Sequence, residues 1–86
     1  MERQALRTLV LSTLRGIAPE IEEDELASDR PLRQQVDLDS MDWLNFLIGL
    51  HQALKVDIPE ADYARLHTLD KLLDYLAAKL QARGPG

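Results

Sequence analysis

The chain has no cysteine, which excludes a disulfide staple, a thiolate nucleophile and a cysteine-ligated metal, so packing alone must hold the fold. It has no glycine-rich phosphate loop, and no paired-carboxylate pattern follows a strand. Its only imidazoles, His51 and His67, stand in no metal-ligand spacing and beside no obvious nucleophile, so each reads as a surface or boundary residue. An autonomous enzyme is not expected. The start, Met1-Glu2-Arg3-Gln4, lacks the apolar run of a signal peptide, and no stretch reaches the roughly 18 apolar residues of a membrane span. A cytoplasmic monomer is the default expectation. Positive charge is also scarce: 10 Lys and Arg against 15 Asp and Glu give a net charge of −5. Such a field repels nucleic acid and anionic membranes and attracts basic protein surfaces.

The 86 residues are 45% hydrophobic and 29% charged, enough for one small domain, expected over residues 1–83 with a flexible tail at 84–86. Leu6, Leu9, Val10, Thr13, Leu14 and Ile17 recur at helical spacing and predict a first amphipathic helix, stopping between Gly16 and Pro19. From there to Asp39 the sequence reads mostly as a long loop, with Ile21, Leu26, Leu32, Val36 and Leu38 available to pin it to the core and a turn at Asp29-Arg30-Pro31. The acidic run from Glu20 to Glu25 lacks the alternation of a calcium loop and reads as a solvated flank.

A second helix is expected from about Ser40 to Leu54, before Pro59 extends the chain. Trp43, Phe46, Leu47, Leu50 and Leu54 fall on one arc facing the core, whereas Met41, Leu44 and Ile48 lie along another side. That second stripe either packs under the loop or forms an exposed apolar strip; periodicity does not choose. Glu60 to Leu66 allows one short helical segment. Thr68 is a candidate N-cap for a last helix carrying Leu69, Leu72, Leu73, Leu76 and Leu80, and Gly84 and Pro85 stop it. No strand alternation or internal repeat interrupts this pattern. The expected fold is an all-α antiparallel bundle of three long helices and a short third one, with a long loop between the first two.

The stretch from Val36 to Leu44 is the most informative. Asp39 can cap the second helix, and Asp42, three residues on, makes the pair resemble a capping box at the positive end of the helix dipole. Ser40 then sits in the first turn, near backbone N–H groups that would receive an attached phosphodiester. From the tripeptide Asp39-Ser40-Met41 alone, a helix start and nothing more is the favoured reading, because such caps are common.

Asp39-Ser40-Met41, opening an apolar helix after a long loop in a small acidic chain, resembles the acyl carrier protein family, whose motif is Asp-Ser-Leu. Ile58-Pro59-Glu60, Thr68-Leu69-Asp70 and Asp74-Tyr75-Leu76 resemble the second half of such proteins at matching distances. The resemblance implies that Ser40, between Asp39 and Met41, carries 4′-phosphopantetheine. It also implies a phosphopantetheinyl transferase and acyl-loading and acyl-processing enzymes as partners, with acyl groups held as thioesters. Asp42, Leu44, Asn45 and Ile48 would face those enzymes. Trp43, Phe46, Leu47, Leu50, Leu66, Leu69 and Leu73 are candidates to line an acyl shelter, although ordinary packing explains them equally well.

Two features depart from the family pattern. Asp37 stands where the family often has glycine, and Asn45, Ile48, His51 and Gln52 replace the acids that typical members carry along this helix. Less electrostatic docking follows, which points to a dedicated carrier in a specialised fatty acid, lipid or polyketide pathway. The Gly-Gly-x-Ser pattern of peptidyl carriers is missing. The competing class is an unmodified helical interaction module that uses Met41, Leu44 and Ile48, with Ser40 only starting the helix.

Overall fold

The computed structural model describes residues 2–82; the expected tail at 84–86 lies outside them. Helix α1 (Arg3–Ile17) turns Leu6, Val10, Leu11 and Leu14 inward. It stops where anticipated: the Ala18 N–H still bonds the Leu14 carbonyl (2.9 Å), but Pro19 disfavours a helical Ala18.

The long connection to the next major helix has structure of its own. A single 3-10 turn occupies Glu23–Glu25, and a one-turn helix, α2 (Leu32–Gln35), follows Pro31. Ile21, Leu32, Val36 and Leu38 are all buried, so the segment is tacked to the core at four points. One side chain organises its middle. The Gln35 carboxamide accepts from Ala27 N–H (2.6 Å) and donates to the carbonyls of Ala27 (2.8 Å) and Arg30 (3.0 Å). Such bonds satisfy backbone groups that a buried loop would otherwise leave unpaired.

Helix α3 (Ser40–Leu54) buries Trp43, Phe46, Leu47, Leu50 and Leu54, the arc anticipated from its periodicity. Lys55 ends it in the left-handed region (φ 56°, ψ 43°) with its N–H on the His51 carbonyl. The short third segment is a 3-10 stretch, Glu60–Arg65. Helix α4 (Leu69–Ala82) follows, capped by Thr68, whose hydroxyl accepts the Lys71 N–H at 3.1 Å. Leu69, Leu72, Leu73 and Leu76 face inward.

The result is an all-helical bundle in which α1 packs on both α3 and α4. Gly49 permits the approach of α1 to α3: a Cβ there would lie 3.0 Å from the Thr13 methyl. The loop and the start of α4 are joined by backbone bonds from Leu32 N–H to the His67 carbonyl (2.8 Å) and from Asp70 N–H to the Ser28 carbonyl (2.9 Å). Pro31 and Thr68 form an isolated antiparallel bridge. Among the described residues no helix is long and apolar enough to cross a membrane.

The 3-10 stretch buries none of its own residues and is tied to α4 instead by the Tyr75 hydroxyl, which donates to Asp62 at 2.7 Å. Burial of the phenol, then the hydrogen bond to Asp62, pushes Tyr75 from 10.0 up to about 12. The folded chain therefore holds this proton more tightly than the unfolded chain does. Its stabilising contribution is complete below pH 10.0 and is lost as pH rises through about 12. In a Tyr63→Phe background, phenolate absorbance should place Tyr75 near the upper value, and Asp62→Asn should move it down towards the ordinary one. Urea unfolding across the same pH window should show a smaller loss of stability in Asp62→Asn.

Candidate functional site

Helix α3 begins with an Asp cap. Asp39 has extended backbone (φ −81°, ψ −179°), and its carboxylate accepts the Asp42 N–H at 2.8 Å, while its carbonyl takes the first helical bond, from Trp43 N–H, at 3.0 Å. Among the described residues the reciprocal bond of a capping box, from Asp39 N–H to the Asp42 carboxylate, does not form. Aspartate is one methylene shorter than the Glu that usually reaches back. Asp37, at the family's glycine position, needs no unusual conformation, because Lys55 is the one non-glycine residue with positive φ among those described.

This cap leaves Ser40 at the first helical position with its side chain in solvent. Its hydroxyl makes no hydrogen bond among the described residues, so modifying it would break nothing. The N–H groups of Ser40 and Met41, ahead of the first helical bond, lie at the positive end of the α3 dipole. A phosphodiester on the Ser40 oxygen would meet donors rather than carbonyls there.

The stripe that periodicity left undecided is exposed. Met41 is 65% accessible, Leu44 36% and Ile48 41%; Asn45 is also exposed and Asp42 half-buried. The seven acyl-shelter candidates lie in the core instead. Trp43 is 8% exposed, Leu73 2%, Leu47 1%, and Phe46, Leu50, Leu66 and Leu69 are fully buried, with the Trp43 and Phe46 rings 5.3 Å apart. Two open surface grooves touch this set. One, of about 450 Å³, runs along Leu47, Ile48, His51 and Ile58. The other, of about 400 Å³, lies beside Trp43 with Arg33, Leu38, Tyr63 and His67 on its walls.

Among the described residues neither histidine is hydrogen-bonded to Ser40. His51 is three turns along α3, about 16 Å away by helical rise, with Nδ1 on the Val56 carbonyl at 2.6 Å. His67 places Nδ1 on the Ala64 carbonyl at 3.0 Å. Among the described residues no group of three or more His, Cys, Asp or Glu could hold a metal ion.

Over residues 4–76 the sequence matches the family described as "Phosphopantetheine attachment site". The chain belongs to that family. It is also similar to the acyl carrier protein of Rubrobacter xylanophilus, 23% identical over 56 residues, which cover 65% of this chain and 69% of that protein. The prosthetic group of the domain is therefore 4′-phosphopantetheine, and the exposed, unbonded Ser40 hydroxyl at a capped helix start fits a phosphodiester. Arg33, Tyr63 and His67, which border the groove near this start, were not marked by any motif. They come from two separate segments, α2 and the stretch just before α4, that only the folded chain brings together.

Because Asp39 holds the start of α3, Asp39→Ala should lower stability by about 1 kcal/mol, while Asp39→Asn, which keeps an acceptor oxygen, should stay close to wild type. Equilibrium urea unfolding followed by far-ultraviolet circular dichroism measures both. Equal stabilities for the alanine variant and wild type would show that the cap is dispensable.

Proposed function

We propose that the protein is an acyl carrier whose 4′-phosphopantetheine is esterified to Ser40. The observation that carries this is the exposed Ser40 hydroxyl at the Asp39-capped start of α3, inside the span matched by the phosphopantetheine attachment family. When bound, the group supplies a terminal thiol on which an acyl chain rides as a thioester. The chain itself performs no bond-making. Its residues present the handle: Asp39 fixes the helix start, Met41 flanks the attachment point, and the closed bundle keeps Ser40 in reach of other proteins.

Partners on this reading are a phosphopantetheinyl transferase and the enzymes that load and process the acyl group. The strip formed by Met41, Leu44 and Ile48, with Asp42 and Asn45 beside it, is their docking surface. Its apolar centre and sparse charge support dedicated enzymes of a specialised fatty acid, lipid or polyketide pathway. Rim charges set association rate and salt dependence, whereas central apolar contacts set dissociation. Shelter of an acyl chain among Phe46, Leu50, Leu66 and Leu69 would require the bundle to open, since these side chains leave no solvent-exposed surface.

Incubation with coenzyme A and a broad-specificity transferase should add one phosphopantetheine mass to the wild type and none to Ser40→Ala. The variant should keep its helical circular dichroism, because an exposed first-turn substitution changes stability by roughly 0.5 kcal/mol or less. An unmodified wild type, under conditions that load a control carrier, would leave the exposed strip as that of a plain helical interaction module.

The docking assignment has its own test. Ile48→Ala should weaken binding to the native acyl-processing enzyme by about 1 kcal/mol or more through faster dissociation, whereas Asn45→Glu with Gln52→Glu should speed association with enzymes built for an acidic helix at low salt. Stopped-flow kinetics across a salt series separates the two effects. Wild-type behaviour in both variants would place the docking surface elsewhere.

A further inference from the structure

Arg33 is the single Lys or Arg between Pro31 and Leu54. It is exposed on α2 and donates from Nε to the Leu38 carbonyl at 3.4 Å, two residues ahead of Ser40. This bond spans the junction between α2 and α3 and occupies one of the five guanidinium donors. Among the described residues no carboxylate lies within ion-pair distance of Arg33. Yet Asp37, Asp39 and Asp42 crowd the stretch around Ser40. A phosphodiester on Ser40 would add a further negative charge to that acidic stretch, and Arg33, held at the Leu38 carbonyl, is a cation on hand to offset it.

The groove of about 400 Å³ extends the argument beyond charge. Arg33, Gln34 and His67 supply its polar lining, and Leu38, Trp43, Tyr63 and Ala64 the apolar part. Trp43 lies three residues after Ser40, so the groove opens beside the first turn of α3. Phosphopantetheine combines the same kinds of chemistry: an anionic phosphodiester, geminal methyls and amides. Guanidinium groups bind phosphate oxygens with charge-assisted, often paired, hydrogen bonds.

We infer that Arg33 is a positioning residue for the group on Ser40, taking the phosphodiester with its remaining N–H groups and directing the arm along the groove against Trp43 and Tyr63. This rests on the reading of Ser40 as the attachment residue. The arm then has a resting place on the outside of the bundle that does not require the core to open. Being largely solvent-exposed, the contact weakens as salt rises.

The test uses the full chain, converted to the phosphopantetheinylated form and checked by intact mass, as wild type, Arg33→Lys and Arg33→Gln. Nuclear Overhauser cross-peaks between the geminal methyls and the Trp43 indole report the arm, and the phosphorus-31 shift reports the phosphodiester. Wild type should show the cross-peaks. Arg33→Gln should lose about fivefold of their intensity, the size expected for one charge-assisted contact near solvent, with its phosphorus shift moving towards that of free phosphopantetheine. Arg33→Lys should fall between them. Should Arg33→Gln lose helical structure, the wild type alone decides through a salt series, in which the cross-peaks must fade. Fully modified wild type without methyl-to-Trp43 cross-peaks, or with cross-peaks indifferent to both salt and Arg33→Gln, overturns the inference while leaving the carrier reading intact. Failure of Ser40 to accept the group overturns both.

Discussion

The hydrogen bond from Asp42 N–H to the Asp39 carboxylate fixes where α3 begins, and much else depends on that register. With Asp39 as cap, Ser40 becomes the first helical residue and points into solvent. The same register turns Trp43, Phe46, Leu47, Leu50 and Leu54 inward and leaves Met41, Leu44 and Ile48 outside. Sliding the sequence by one residue along this helix would rotate every side chain by about 100° and exchange these faces. The cap sets where the serine sits, and the apolar spacing that follows it sets which face the core takes.

The remaining structure holds α3 in place without covering its exposed side. Helix α1 packs on it through the close approach at Gly49 and Thr13. The segment from Ala18 to Asp39 is anchored by Ile21, Leu32, Val36 and Leu38 and by the Gln35 carboxamide. Surface ion pairs add little: the Arg3 to Asp74 contact, at 2.8 Å, joins side chains that are both more than half exposed. Stability comes from the apolar interior, so the acidic surface is free to serve solubility and association.

Much of this was legible in the sequence because it depends on local rules. The 3.6-residue spacing of leucines marked α1 and α4, the Asp39 and Thr68 caps were readable from residue type, and Pro19 and Pro59 marked the breaks. The connection between α1 and α3 read as loop because α2 is only one turn long, too short for periodicity to register, and because Gln35 acts across eight residues on Ala27. Whether Met41, Leu44 and Ile48 were covered depended on the path of that connection, which hydrophobic spacing does not encode. The groove beside Trp43 escaped notice for a similar reason. Its walls come from α2, α3 and the residues before α4, and no one-dimensional pattern places Arg33, Tyr63 and His67 side by side.

The central claim is that the chain is a carrier whose handle is Ser40, and tryptic mapping of the transferase-treated protein tests it most directly. Cleavage after Arg33 and Lys55 releases peptide 34–55, in which Ser40 is the one hydroxyl-bearing side chain. The account predicts the phosphopantetheine mass on that peptide, with the fragment-ion series placing it at Ser40 and all other peptides unmodified. The mass on any other peptide, or on none while a control carrier is loaded, would contradict it.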